Sequence, residues 1–239
     1  MLIINKIKDL ILRPFIDVIY PPICYLCNKQ LQDSSLCICF ECWDKFKKFD
    51  TNSDLYQILL KRFNNEGFIN GFVSLYLFEK DGKFQEVIHL LKYNNIKSIG
   101  IELGTILGKV IQKEFENIDI VTSVPLHRLK KRERGYNQVD FICKGISKVT
   151  GVNFFDNLIL RVRYTQSQTK LNFQERMDNV KDAFIANKKF IDIIRGKNII
   201  MVDDVITTGA TINSAAKALK EAGASKIYAA SAGVADRLE

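Results

Sequence analysis

The chain has 239 residues, 47% of them hydrophobic and 26% charged. That composition supplies a packed core and excludes global disorder, and the length fits one large domain or a domain with a small module attached. A formal net charge of +8 favours polyanionic ligands or nucleic acid but says nothing about fold.

Residues 1–20 are rich in Leu, Ile and Val, but Lys6, Lys8, Asp9, Arg13, Pro14 and Asp17 interrupt the run, unlike a signal peptide. Ile3, Ile7, Leu10 and Ile11 share one helical face. This predicts an amphipathic segment packed on the rest of the protein; the alternative is weak association with an anionic membrane surface. No stretch is long and apolar enough to span a bilayer, and the expected location is cytoplasmic. At the other end, Leu238-Glu239 adds nothing to any pattern and reads as a cloning scar.

Five of the six cysteines fall between positions 24 and 42. Cys24 and Cys27 form one C-x2-C pair, and Cys39 and Cys42 form another. Two such pairs are the usual frame of a tetrahedral thiolate zinc site, and with no open position the site is expected to be structural. Disulfides are disfavoured in a reducing compartment. Cys37 leaves the ligand set ambiguous; Cys39 is preferred because it completes the second pair. Cys143 stands alone in a predicted helix and reads as a core residue.

Residues 1–50 therefore form an amphipathic helix plus a four-cysteine zinc-binding module, with Trp43, Phe46 and Phe49 helping it pack. The asparagine-rich 51–71 stretch reads as a connector with one short helix. From residue 72 onward strands and helices alternate. Val73, Leu75 and Leu77 predict a strand; Phe84, Val87, Ile88 and Leu91 a helical face; Leu103, Ile106, Leu107 and Val110 another. Strands are expected at 118–124, 158–162 and 227–230, and a helix at 137–149. The alternation predicts an α/β domain over 72–239: a mainly parallel sheet with helices on both faces, binding ligands at the carboxyl ends of its strands.

After the 118–124 strand, His127 leads into a basic stretch in which Arg128, Lys130, Lys131, Arg132 and Arg134 fall within eight residues. Such a loop suits pyrophosphate, through bidentate arginine contacts, or a nucleic-acid backbone; an isolated charge run is more often simply solvated. A second polar segment runs from Arg161 through Gln168 to Arg176 and reads as either a lid or an ordinary surface loop.

The stretch 198–211, NIIMVDDVITTGAT, carries the most chemistry. An apolar strand ends in Asp203 and Asp204, a loop of Val205, Thr207, Thr208, Gly209, Ala210 and Thr211 follows, and Ile212, Ala215, Ala216 and Leu219 then recur at helical spacing. A helix N-terminus attracts anions, Gly209 allows close backbone approach, and the threonine hydroxyls donate to phosphate oxygens. Ionised carboxylates one loop away suit sugar hydroxyls or the water shell of magnesium. A ribose 5-phosphate fits both ends.

This pattern resembles the ribose-phosphate signature of type I phosphoribosyltransferases. The resemblance implies that Asp203 and Asp204 hold the ribose hydroxyls of phosphoribosyl pyrophosphate (PRPP), bound with magnesium, and that 207–211 holds the 5-phosphate. The order of the amphipathic start, the cysteine pairs, Leu91-Lys92-Tyr93, SVPLH at 123–127, RERGYNQ at 132–138 and VDDVITTGAT at 202–211 resembles the ComF (ComFC) family of competence-associated, phosphoribosyltransferase-like proteins across essentially the whole chain. That resemblance implies a role in DNA uptake and natural transformation, handling single-stranded DNA with a competence helicase. Two functions stay open: phosphoribosyl transfer to an unknown acceptor, or a non-catalytic module that binds single-stranded DNA or senses PRPP. For the module, Tyr136 and Trp43 are candidate stacking aromatics.

Overall fold

The computed structural model describes residues 21–163 and 183–236. The amphipathic segment, Gln168, Arg176 and Leu238-Glu239 lie outside the described residues. The chain divides into two compact units, one ending at Phe46 and the other starting at Lys47.

In the smaller unit, Cys24 and Cys27 sit in a tight turn. The Cys24 N–H donates to Lys29 O at 2.8 Å and the Asn28 N–H to Cys24 O at 2.9 Å. Asn28 takes a φ of 59°, a left-handed conformation that asparagine tolerates. Cys39 caps the one-turn helix α1 (Phe40–Asp44), which carries Cys42.

The larger unit opens with α2 (Asp54–Glu66). The Ser53 hydroxyl caps it by accepting the Tyr56 N–H at 3.3 Å, and Gly67 ends it in the left-handed conformation. The 51–71 stretch thus holds a 13-residue helix, whose Leu59 and Phe63 are buried in one core with Phe49 and Phe72. The elements that follow are β1 (Gly71–Phe78), α3 (Lys83–Tyr93), α4 (Lys97–Glu114), β2 (Ile120–Ser123), α5 (Arg128–Arg134), α6 (Gln138–Thr150), β3 (Asn153–Phe155), β4 (Ile159–Arg161), β5 (Phe184–Ala186), a short 3-10 turn (Lys188–Phe190), α7 (Ile191–Ile194), β6 (Asn198–Ile206), α8 (Ala210–Glu221) and β7 (Lys226–Ala235).

Five strands form a wholly parallel sheet in the order β1-β7-β6-β2-β3. Alternate residues of β6 serve opposite faces. Ile199 and Met201 join the core made with α2 and α8, while α3, α4 and α6 pack on the strands from the other side. The expected α/β architecture with helices on both faces is the one observed.

Two expectations need correction. The 158–162 segment does form a strand, β4, but it pairs antiparallel with β5 in a separate two-stranded sheet and not in the main sheet. The basic stretch is not a loop but a two-turn helix, α5, capped by the His127 side chain and ended by Gly135 at φ 80°. Lys, Arg and Glu are good helix formers, so a charge run between a cap and a glycine folds as a helix. Helices α4 and α6 cross with almost no gap: a Cβ on Gly104 would lie 2.0 Å from Ile142 O, and one on Gly145 2.3 Å from Ile101 O. That close crossing fixes α6, and with it the residues at its N-terminus, against the end of β2. Among the described residues no helix is long and apolar enough to cross a membrane.

Candidate functional site

Ile199, Ile200, Met201 and Val202 are fully buried, which anchors β6 in the centre of the sheet. Its carboxyl end brings Asp203 and Asp204 to the sheet edge beside β2, where the Val124 N–H donates to Val202 O at 2.8 Å. The chain then turns at Gly209, whose φ of 83° belongs to the left-handed region and where a side chain would be strained and would displace Phe63: a Cβ there would lie 2.8 Å from the Phe63 ring. Gly209 caps α8. The turn therefore presents the N-terminus of a twelve-residue helix to the same edge as the two acids.

A cavity of about 310 Å³ opens there. Asp203, Asp204, Val205, Thr207, Gly209 and Thr211 line it from the β6–α8 segment. Lys92 enters from α3, Lys130 and Arg134 from α5, Gln138 from α6 and Arg161 from β4. Two of the motif's residues do not line it. Thr208 is buried and accepts the Ala210 N–H at 3.3 Å, while Ala210 is buried as the first residue of α8. The Thr208 carbonyl in turn accepts from Arg62 Nη1 at 3.4 Å, so α2 braces the turn.

The two acids have different surroundings. Burial opposes ionisation of Asp204, but the Lys92 ammonium 2.9 Å from Oδ2, with Gln138 Nε2 donating to the same oxygen, holds its carboxyl below the usual range. Arg134 donates to Gln138 Oε1, extending the network to α5. Asp203 instead accepts the Asp204 N–H, at 2.8 Å. Burial, and then the neighbouring Asp204 charge, push its carboxyl up to about 7. Around the pair, burial and then the charges of Arg161, Arg134 and Lys92 lower the pKa of the Lys130 ammonium. Four cations crowded around one cavity are an unfavourable arrangement that an entering polyanion relieves.

The basic residues named from the sequence part company in the structure. Arg134 and Arg161 face this cavity. His127 and Arg128 border an adjoining cavity of about 490 Å³, on whose edge Arg161 also lies, and Arg132 is exposed. Helical geometry explains the division: Lys130 and Arg134 are one turn apart on one face, and Arg128 and Arg132 share another. In the sequence Lys130 counted only as one member of the basic stretch, Lys92 and Gln138 only as parts of the resemblance motifs, and Arg62 had no site role. For Lys130 the signal was the four-residue spacing to Arg134, once the segment is taken as a helix. The proposed stacking aromatics are occupied: Trp43 is buried, and Tyr136 donates its hydroxyl to Leu91 O with Lys97 Nζ 5.3 Å from its ring centroid.

In the smaller unit, the sulfurs of Cys24, Cys27, Cys39 and Cys42 all lie within 4.8 Å of one another; Cys37 is not among them. The Cys24–Cys42 and Cys27–Cys39 sulfur separations are 3.8 and 3.7 Å. A zinc ion with about 2.3 Å bonds to four thiolates in a tetrahedron has edges of about 3.8 Å, so the cluster fits a metal of that size and preference. The Cys39 N–H also donates to Cys24 Sγ at 3.3 Å, the kind of contact that supports a thiolate.

Comparison with known proteins agrees with this geometry. A phosphoribosyl transferase domain model matches residues 149–237. Competence protein F of Haemophilus influenzae is 32% identical over 112 residues, which is 46% of this chain and 47% of the relative. The DNA utilization protein YhgH of Salmonella typhi is 30% identical over 146 residues, 59% of this chain and 63% of the relative. Competence protein ComFC of Streptococcus pneumoniae is 32% identical over 115 residues, 48% of this chain and 47% of the relative. The matches thus span about half to three-fifths of these relatives. The chain is thus similar to the competence protein F, ComFC and YhgH proteins over about half to three-fifths of its length, and it carries a phosphoribosyltransferase-like domain.

Proposed function

We propose that the larger unit binds PRPP with magnesium in the cavity at the carboxyl ends of β6 and β2, and that the protein serves DNA uptake in natural transformation. The observation that carries this reading is the convergence on one 310 Å³ cavity of a diacid, a glycine-capped helix N-terminus and four cations. The volume lies at the lower end of the range for small-molecule sites. The 5-phosphate would meet Thr207, Thr211 and the first turn of α8, and the ribose diol the acid pair. The diphosphate would meet Lys92, Lys130, Arg134 and Arg161. Magnesium, when bound with the substrate, would supply further charge neutralisation. If transfer occurs, the C1–oxygen bond breaks, pyrophosphate leaves with the electron pair, and an acceptor lone pair forms the new bond at C1. The cationic centre passed on the way is stabilised by positioning and electrostatics.

The four-cysteine cluster is proposed to hold a structural zinc ion, with Cys24, Cys27, Cys39 and Cys42 as ligands. The relatives' names, competence protein and DNA utilization protein, support the cellular role. A helicase partner follows from family resemblance alone. One observation favours the non-catalytic reading: Arg132 is exposed, and Arg128 and Lys131 line only the adjoining cavity, leaving basic groups for a nucleic-acid backbone.

Incubating the protein with magnesium, PRPP, a panel of bases and DNA, while following pyrophosphate, tests the enzyme reading. Release that Asp203→Ala with Asp204→Ala abolishes is the expected result. Absence of release, with salt-sensitive single-strand binding lost in Arg128→Ala with Arg132→Ala, would replace transfer by binding.

A further inference from the structure

Asp204 is already engaged where a ribose is expected. Its Oδ1 accepts the Val205 N–H at 2.7 Å, and its Oδ2 accepts both Lys92 Nζ, at 2.9 Å, and Gln138 Nε2. An ionised carboxylate offers about four acceptor positions, so three are filled before any diol arrives. One position remains, so Asp204 can accept both hydroxyls of a diol only if one donor leaves. The Val205 N–H is backbone within β6 and cannot move. Gln138 is buried in the first turn of α6 and tied to Arg134. Lys92 is the free-swinging member. Its side chain is 24% exposed at the end of α3, and it also borders a neighbouring cavity of about 370 Å³. A polyanion beside Lys130 and Arg134 competes with Asp204 for its ammonium.

We propose that Lys92 makes the site selective for a ribose 5-phosphate that carries a diphosphate at C1. The diphosphate draws the ammonium off Asp204 and so frees that acid for the diol, whereas ribose 5-phosphate alone leaves the Lys92–Asp204 pair closed. This rests on the ribose-phosphate reading of the cavity and assigns the discrimination to a residue remote in sequence from the motif. The cost of breaking the pair is met only by a ligand that offers Lys92 a replacement charge.

The test is calorimetric binding of PRPP and of ribose 5-phosphate, each with magnesium, to the full chain and to its Lys92→Met and Lys92→Arg variants. Lys92→Met should shrink the ratio of the two affinities by at least about tenfold, weakening PRPP while leaving ribose 5-phosphate unchanged or tighter. Lys92→Arg, which keeps the charge, should hold the ratio within about threefold. An equal loss for both ligands, or no change in either, overturns the proposal. A wild-type experiment does not depend on the variants folding: saturating pyrophosphate should tighten ribose 5-phosphate binding, because each ligand favours the opened pair. Pyrophosphate that weakens or does not affect it overturns the proposal. If wild type binds neither sugar phosphate, the reading of the cavity itself falls.

Discussion

Replacing Asp203 by Asn should stabilise the fold while destroying the site. Asp203 faces Asp204, Lys92, Arg161 and the buried Cys143, and burial with the Asp204 charge lifts its carboxyl from about 3.8 to about 7. A carboxyl whose folded pKa is raised binds its proton more tightly in the folded chain. Its contribution is fully favourable below the unfolded value and declines as pH rises, until it is lost above about 7. At 1.36 kcal/mol per pH unit the full difference is about 4 kcal/mol, and water entering the open cavity cuts this to about 2 kcal/mol. Asn removes the charge at nearly constant shape, so Asp203→Asn should melt about 4–8 °C above wild type at pH 8, on the scale for a chain of this size. At pH 5, where folded wild type already holds the proton, the gain should fall by more than half. Thermal melts of both proteins at the two pH values decide it. An Asp203→Asn protein that melts no higher at pH 8, or whose gain is the same at pH 5, refutes the reasoning.

Asp204→Asn should do the opposite, costing about 1.5–3 kcal/mol at pH 5, because it strips Lys92 and Gln138 of a charged acceptor, and less at pH 8, where loss of its charge also relieves the ionised Asp203; equilibrium denaturation checks this. Cys39→Ser should lose bound zinc and Cys37→Ser should keep it, read as metal content per chain, since only the first sulfur belongs to the cluster. Gly104→Ala should destabilise by about 1–3 kcal/mol, seen in the denaturation midpoint, because its methyl would collide with the Ile142 backbone. Gly209→Ala should weaken phosphate-ester binding by more than its effect on stability, since it both strains a φ of 83° and presses on Phe63 in the turn that presents α8; calorimetry beside a melt separates the two.

Much of the site was legible because its signals are local. The apolar run of β6, the two acids, the turn glycine and the α8 periodicity are contiguous, and each dictates its own conformation. The cysteine pairs are equally local, and their spacing alone singled out the four sulfurs that meet. The basic segment misled because charge was read without period. Taken as a loop, its arginines were equivalent; as α5, bounded by His127 and Gly135, it points Lys130 and Arg134 one way and Arg128 and Arg132 another. The 158–162 strand was visible as a strand, but its partner was not, because strand pairing depends on segments remote in sequence.

The sequence by itself therefore determined where a ribose phosphate and a metal are expected, and that the sheet is parallel with helices on both faces. Only the tertiary structure decided how the two acids differ. Lys92 reaches Asp204 from the end of α3, and Gln138 reaches it from α6, held in place by glycines that let α4 and α6 touch backbone to backbone. The physical reason is that a carboxylate's charge state is set by whatever surrounds it in space, and neighbours in space are chosen by packing, not by position along the chain.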